Sequence, residues 1–435
     1  MMRCSSAAVA RLCAAAATAV FLGVILRGAG SVALSVQGRA SANVSIAASG
    51  TTVVAVWSAS TPNGAADIYA AVSRDGGQRF GSPVRVNSVP GQANVNGEQP
   101  PRISLAVDPS GKVALMTVVW TAKGENGTRI LSAQSRDGGR TFSRSADVPG
   151  STASGNRGWQ AITSDANGRT SVVWLDHRGL VEDAATMAVK HHEMSHQHAE
   201  PGVTDGVAMA QRSHLYYAAV GDAASVRGLA GGVCYCCKTA IALGPAGAVS
   251  LAWRHVYPGN LRDIAFSISR DGGKTFGTPV RISEDQWHLE GCPDDGPAMV
   301  VDSKSRTHIV WPTLVTDAAS KTATIGLFYT TSSDAARFAP RVRVPTEGVP
   351  HHPQLALGGA GPLLTWDELL GGKRQIAVAQ LTTGADGRAI FKRQIVSSGE
   401  PSIYPSIAST AGGAVIAWTS GAPSESVIRV AQVQP

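Results

Sequence analysis

Ser73-Arg-Asp75-Gly-Gly-Gln-Arg-Phe80 returns as Ser135-Arg-Asp137-Gly-Gly-Arg-Thr-Phe142 and Ser269-Arg-Asp271-Gly-Gly-Lys-Thr-Phe276, and in worn form as Ser332-Ser-Asp334-Ala-Ala-Arg-Phe338. The octapeptide reads as a tight turn. Its Asp carboxylate caps backbone N–H groups of the turn itself, its glycines accept positive φ, and its aromatic ring staples the turn to the strands behind it. Recurrence of such a turn marks a repeat architecture.

Working outward from these turns, a second mark appears: a short apolar strand ending in Trp, as in Val53-Val-Ala-Val-Trp57. It recurs at Trp120, Trp174, Trp253, Trp311, Trp366 and Trp418, at spacings of 52 to 63 residues, stretched to 79 between Trp174 and Trp253, where an insertion must lie. Each complete unit then runs strand, turn, strand ending in Trp, loop, strand, Asp-box turn, strand, which is one four-stranded propeller blade. The last unit has only three strands, near Pro405 to Ala408, Ala414 to Trp418 and Val427 to Val433. Val32 to Val36 supplies the missing fourth and closes the ring, removing two sheet edges. The expected fold is an all-β propeller of four-stranded blades, seven by this count.

Asp-box turns of the form Ser-x-Asp-x-Gly-x-Thr-Trp/Phe, in register with the Trp-ended strands over roughly residues 43 to 435, resemble the sialidase superfamily. That resemblance makes six blades the alternative count, and the chain reads as a non-sialidase member. In sialidases, as the resemblance implies, three arginines hold the substrate carboxylate, a Tyr activated by a Glu is the nucleophile, and an Asp is the acid/base. A Phe/Tyr-Arg-Ile-Pro segment lies on an early strand. The nearest segment here, Pro101-Arg102-Ile103-Ser104, stands at the start of blade 2 and lacks both the aromatic and the Pro. On the resemblance, Arg178, Arg254 and Arg262 are candidates for a carboxylate clamp, Tyr404 with Glu368 or Glu400 for the nucleophile pair, and Asp176 or Asp295 for the acid.

Composition agrees with many short strands. The 435 residues include 48 Gly and 23 Pro, and only 16% are charged. Residues 1 to 33 read as a secretory signal, with Arg3 and Arg11 ahead of the apolar stretch Leu12 to Leu26 and small residues at Ser31 and Ala33; cleavage as late as Ala42 also fits. The propeller then occupies 34 to 435, in a periplasmic or secreted protein with no membrane span once the signal is removed. The formal charge of +7 falls to +4 when Arg3, Arg11 and Arg27 leave. Without a Lys/Arg-rich run, that excludes a nucleic-acid partner. The chain is expected to act as a monomer.

In a blade, the Asp boxes and the turns between strands 1 and 2 lie on one face. The loops between strands 2 and 3 and the crossings between blades lie on the other, around the channel mouth. Nearly all the unusual residues sort to the second face. The crossing into blade 4 carries Cys234-Tyr-Cys236-Cys237-Lys238, and that into blade 5 carries Trp287-His288-Leu-Glu290-Gly-Cys292-Pro-Asp294-Asp295. The crossing into blade 6 carries His351-His352 and that into blade 7 Glu400 and Tyr404, while loops add Asp176-His177-Arg178, Arg254-His255 and Asp367-Glu368. Loops on a rigid scaffold are where sites concentrate.

Four mature cysteines in an oxidising compartment are consistent with two disulfides. The sharper reading is a metal site made by Cys234, Cys236, Cys237 and Cys292 with His255, His288, His351 and His352. A second metal site is expected in blade 3, which lacks an Asp box and instead carries His191, His192, Met194, His196 and His198 within an insertion at about 190 to 212. By the register this insertion follows the third strand and leaves from the Asp-box face. Imidazole and thiolate donors suit Cu or Zn, and the thioether favours Cu(I). The functional expectation is a propeller that binds a soft transition metal through its channel face. The alternatives are a sialidase-type exo-glycosidase and a non-catalytic platform for a glycan or a protein, and the residues leave open whether the face is catalytic.

Overall fold

The apolar run Val53 to Trp57 is buried throughout. A strand achieves that only when sheets pack on both of its faces, which is why its residues do not alternate with polar ones. In the computed structural model, which describes residues 30–181, 205–289, 293–316, 321–384, 387–397 and 399–434, this holds for every unit. Trp57, Trp120, Trp174, Trp253, Trp311, Trp366 and Trp418 are all buried, and the apolar clusters that contain them join neighbouring sheets. Seven antiparallel four-stranded sheets form a seven-bladed propeller, and the six-bladed alternative is set aside.

The ring closes as the count of strands requires. The first strand, β1 (Val32–Leu34), pairs antiparallel with the last, β28 (Val427–Val433), with Ala33 opposite Arg429. The outermost strands of blades 1, 2 and 4 are two residues long, at Val84–Arg85, Ala146–Asp147 and Val280–Arg281, leaving little unpaired edge.

The Asp-box turns have the geometry their sequence dictates. In the turn at Asp271, the Gly273 amide donates to Ser269 Oγ (2.8 Å), and the Lys274 and Thr275 amides donate to Asp271 Oδ1 (3.0 and 2.9 Å). Gly273 is required twice over: its φ is +87°, and a Cβ there would sit 2.0 Å from the Tyr217 hydroxyl of blade 3. The turns therefore also seat each blade against the one before it. The worn copy retains the capping pattern through Ser332 and Asp334, with Ala335 at φ +57°.

Blade 3 corrects the sequence reading. Its second strand is β11 (Thr170–Asp176) and its third is β12 (His214–Ala219), with Asp176 opposite His214. The insertion thus lies between the second and third strands, and it departs from the channel face rather than the Asp-box face. The place of the missing Asp box is taken by a tight turn at Gly221, φ +75°. His191, His192, Met194, His196 and His198 lie outside the described residues, but the chain returns through a helix, α1 (Asp205–Arg212). Among the described residues no helix is long and apolar enough to cross a membrane.

Candidate functional site at the channel mouth

The first strands of blades 1, 3, 6 and 7 each break register near their start, between Ala42 and Ser45, Gly158 and Ala161, His351 and Gln354, and Ile403 and Ser406. Inside each break stands a non-glycine residue at positive φ: Asn43 (60°), Trp159 (54°), His352 (52°) and Tyr404 (55°). Such residues are uncommon, and β-bulges re-aim side chains. Four blades thus use one device to turn a large side chain at the channel mouth, two positions before the channel-lining residues Ser45, Ala161, Gln354 and Ser406.

His352 is the centre of an ionic knot that ties four blades. Its Nδ1 meets Asp367 Oδ1 at 2.5 Å and its Nε2 meets Glu98 Oε1 at 2.9 Å. Lys238 Nζ lies 3.4 Å from the other Glu98 oxygen, and Arg374 Nη1 is 2.5 Å from Asp367 Oδ2. The Tyr404 ring packs tilted against His352 (centroids 4.2 Å apart) under the Lys238 ammonium at 5.7 Å. Gly97 makes this seat possible, because a Cβ there would fall 2.0 Å from the ring. Asp295 accepts the His352 amide at 3.1 Å and faces His351 Nδ1 at 3.2 Å.

Burial and Lys238 push the His352 pKa down, but Asp367 and Glu98 prevail and lift it to about 9, so the ring is an imidazolium at neutral pH. Burial opposes ionisation of Glu98, yet Lys238 and His352 hold it at about 2. Burial together with Glu98 and Asp367 pushes the Tyr404 phenol well above its usual range. A phenol so placed donates hydrogen bonds and is not activated as a nucleophile. Asp295, His351 and His352 bring a ligand atom each within 4.8 Å of one another. Both His352 nitrogens, however, already serve carboxylates, which argues against that trio as a metal centre.

The cysteines form a second centre beside this knot. A turn at Tyr235 and Cys236 gathers the sulfurs of Cys234, Cys236 and Cys237 within 4.8 Å of one another, all buried. Cys236 is disulfide-bonded, whereas Cys234 and Cys237 are free thiols; Cys292 lies outside the described residues. Cys237 Sγ–H donates to Cys234 Sγ at 3.3 Å, and Arg262 Nη1 donates to the same sulfur at 3.3 Å. Burial disfavours the Cys234 thiolate, but the Cys237 hydrogen bond and the Arg262 and Arg254 charges prevail and bring its pKa to about 7; burial and the Cys234 sulfur drive Cys237 well upward. Helix α1 covers the centre through Ala210. Among the described residues no imidazole joins the sulfur group: His255 packs on Tyr257, its Nδ1 has no partner there, and His288 is exposed.

The three arginines do not assemble a carboxylate clamp. Arg254 stacks on Trp287 and donates to the carbonyls of Asp295, Arg262 and Pro312. Arg262 is held by Asn260 and Cys234, and Arg178 grips Asp176 through two hydrogen bonds of 2.8 Å. Asp176 also takes Arg157 and the Trp174 indole, and Glu368 repeats the pattern with Arg393, Gln375 and the Trp366 indole. Both carboxylates, buried and fully engaged, serve to bind strands together. Tyr404 pairs with neither Glu368 nor Glu400, which meets Ser420; its carboxylate neighbours are Glu98, Asp367 and Asp295. Glu98 escaped the sequence reading altogether.

No family model and no curated protein matches the chain in sequence. Among solved structures, an ulvan lyase of a new polysaccharide lyase family, bound to -[GlcA(1-4)Rha3S]-, superposes with a TM-score of 0.53 at 10% identity, covering 94% of this chain and 96% of that one. The α-L-arabinofuranosidase of Fusarium graminearum gives 0.48 at 11% identity, over 94% and 98%. A Hadza microbial sialidase gives 0.44 at 12%, over 91% of this chain and 66% of its own. These likenesses are of fold.

Proposed function

We propose that this chain is an exported propeller that binds a soft monovalent metal ion, Cu(I), between Cys234 and Cys237. The observation that carries the reading is the buried pair of free thiols 3.3 Å apart with the Arg262 guanidinium on one sulfur. Soft thiolates select Cu(I), whereas a structural Zn²⁺ takes four donors, and the third sulfur here is tied up in a disulfide. Two thiolates and one Cu⁺ carry a net charge of −1, and Arg262 supplies the compensating charge. Two adjacent thiols in an oxidising compartment would otherwise close on each other, and a bound metal prevents it. The His/Met-rich segment supports the same reading, since it is attached on the thiol face through Asp176 and His214. Anaerobic titration of the mature protein, with the Cys236 disulfide intact and Cys234 and Cys237 present as thiols, against a chromophoric Cu(I) chelator should give one ion per chain, with no comparable Zn²⁺ uptake. Absence of Cu(I) uptake by protein with two titratable thiols would remove the proposal.

A second reading, action on a glycan, is favoured by the knot of Tyr404, His351, Asp295 and Lys238 at the mouth of a propeller whose fold is like that of the ulvan lyase. It predicts turnover of some member of a panel of uronic-acid polysaccharides and aryl glycosides, lost in Tyr404→Phe. No turnover across the panel counts against it.

A further inference from the structure

The first strands of all seven blades line a central cavity of about 150 Å³. This is about ten times the ~10–15 Å³ of equivalent volume that admits one water. Its charged lining residues are Arg102 and Lys238, both cationic. Lys238 reaches Glu98, which is not part of the lining. Arg102 is placed otherwise. Among the described residues its one hydrogen bond is from Nε to the Gln160 carbonyl, at 3.0 Å, so the two terminal nitrogens of the guanidinium have no protein acceptor. Burial draws its pKa down to about 10, against the pull of Glu98. Arg102 is half-buried on the cavity wall, so its unfilled donors are available to an anion that enters there.

The rest of the lining supplies what such an anion needs. Ser45, Gln354 and Ser406 stand around the cavity with Arg102. Neither the Ser45 hydroxyl nor the Gln354 amide has a hydrogen-bond partner among the described residues, and Ser406 Oγ accepts the Ile46 amide at 3.1 Å while keeping its own proton to donate. The remaining lining residues are mostly apolar, among them Ile103, Ile162, Ile241 and Leu355.

We propose that the channel is a binding site for a small oxyanion group, with Arg102 as its bidentate anchor and Ser45, Gln354 and Ser406 as supporting donors. The site is separate from the thiol pair and does not depend on it. The group is either a free sulfate or phosphate ion or the acidic substituent of a sugar entering from the mouth; guanidinium forks suit both. Thermal melts and calorimetric titrations on reduced, metal-free protein at constant ionic strength separate the two sources, with arms of sulfate, phosphate, chloride and glucuronate. Saturable stabilisation by sulfate or phosphate beyond chloride assigns a free ion, and stabilisation by glucuronate alone assigns a sugar acid. In either case Arg102→Gln should abolish the response. Arg102→Lys, which keeps the charge and the fold but loses the fork, should weaken it about tenfold. Gln354→Ala should weaken it as well, without touching any charge. Wild-type protein that responds to none of the arms, or a response unchanged in Arg102→Lys and Gln354→Ala, overturns the assignment.

Discussion

Asp176→Asn should lower the unfolding free energy by about 3–5 kcal/mol, the cost of removing one partner from a buried ion pair. Asp176 is buried and holds three groups: Arg157 Nε at 3.2 Å, Arg178 through both of its oxygens, and the Trp174 indole at 3.0 Å. The substitution halves the acceptor capacity and leaves the buried Arg157 charge without a counter-charge, hydrogen-bonded only to the carbonyls of Thr128, Ala153, Ser154 and Gly155. Burial opposes the Asp176 charge, yet Arg178 and Arg157 bring its pKa to about 2. Its folded pKa is thus depressed, so its contribution is complete above the unfolded value near 4 and is lost as the pH falls through about 2. Chemical denaturation at pH 7 and at pH 3 would reveal both effects. Cu(I) binding by the folded fraction should be unchanged. If Asp176 were instead the acid of a glycosidase, the substitution would abolish turnover and leave stability nearly intact.

The fold was legible because two independent marks repeat in register. The Asp-box turn needs its own glycines and carboxylate locally, and the Trp strand needs an unbroken apolar run because blades cover both its faces. The face that gathers the thiols and histidines followed from that register alone. What failed depended on partners distant in sequence. Arg254 looks the same in sequence whether it grips a ligand carboxylate or caps the carbonyls of Asp295 and Pro312. Glu98 carries no motif; its importance arises only when the ring closes and brings Lys238 and His352 to it. The insertion in blade 3 falls on the other edge from the one expected, because the expectation puts the His/Met segment in the place of the missing Asp box. In fact the turn at Gly221 had replaced it, and the extra residues had entered one strand earlier.

Cys234→Ser and Cys237→Ser should each reduce Cu(I) affinity by more than the ~10–100-fold that loss of an outer partner of a metal ligand costs. Two-coordinate binding tolerates no missing sulfur. The pH dependence of wild-type affinity carries the finer signature, because binding requires both sulfurs deprotonated. Below about pH 7 the metal-free site holds two protons; above it Cys234 is already a thiolate, and only the Cys237 proton, whose pKa is driven upward, remains to be displaced. Affinity should therefore rise with pH, the logarithm of the binding constant climbing by about 2 per pH unit below 7 and by about 1 above it. Arg262→Gln removes the hydrogen bond that favours the thiolate and should move the change of slope to higher pH. Competition titrations from pH 6 to 9, with circular dichroism to confirm that each variant is folded, measure all of this. A folded Cys234→Ser protein that binds Cu(I) as tightly as the parent would place the metal elsewhere.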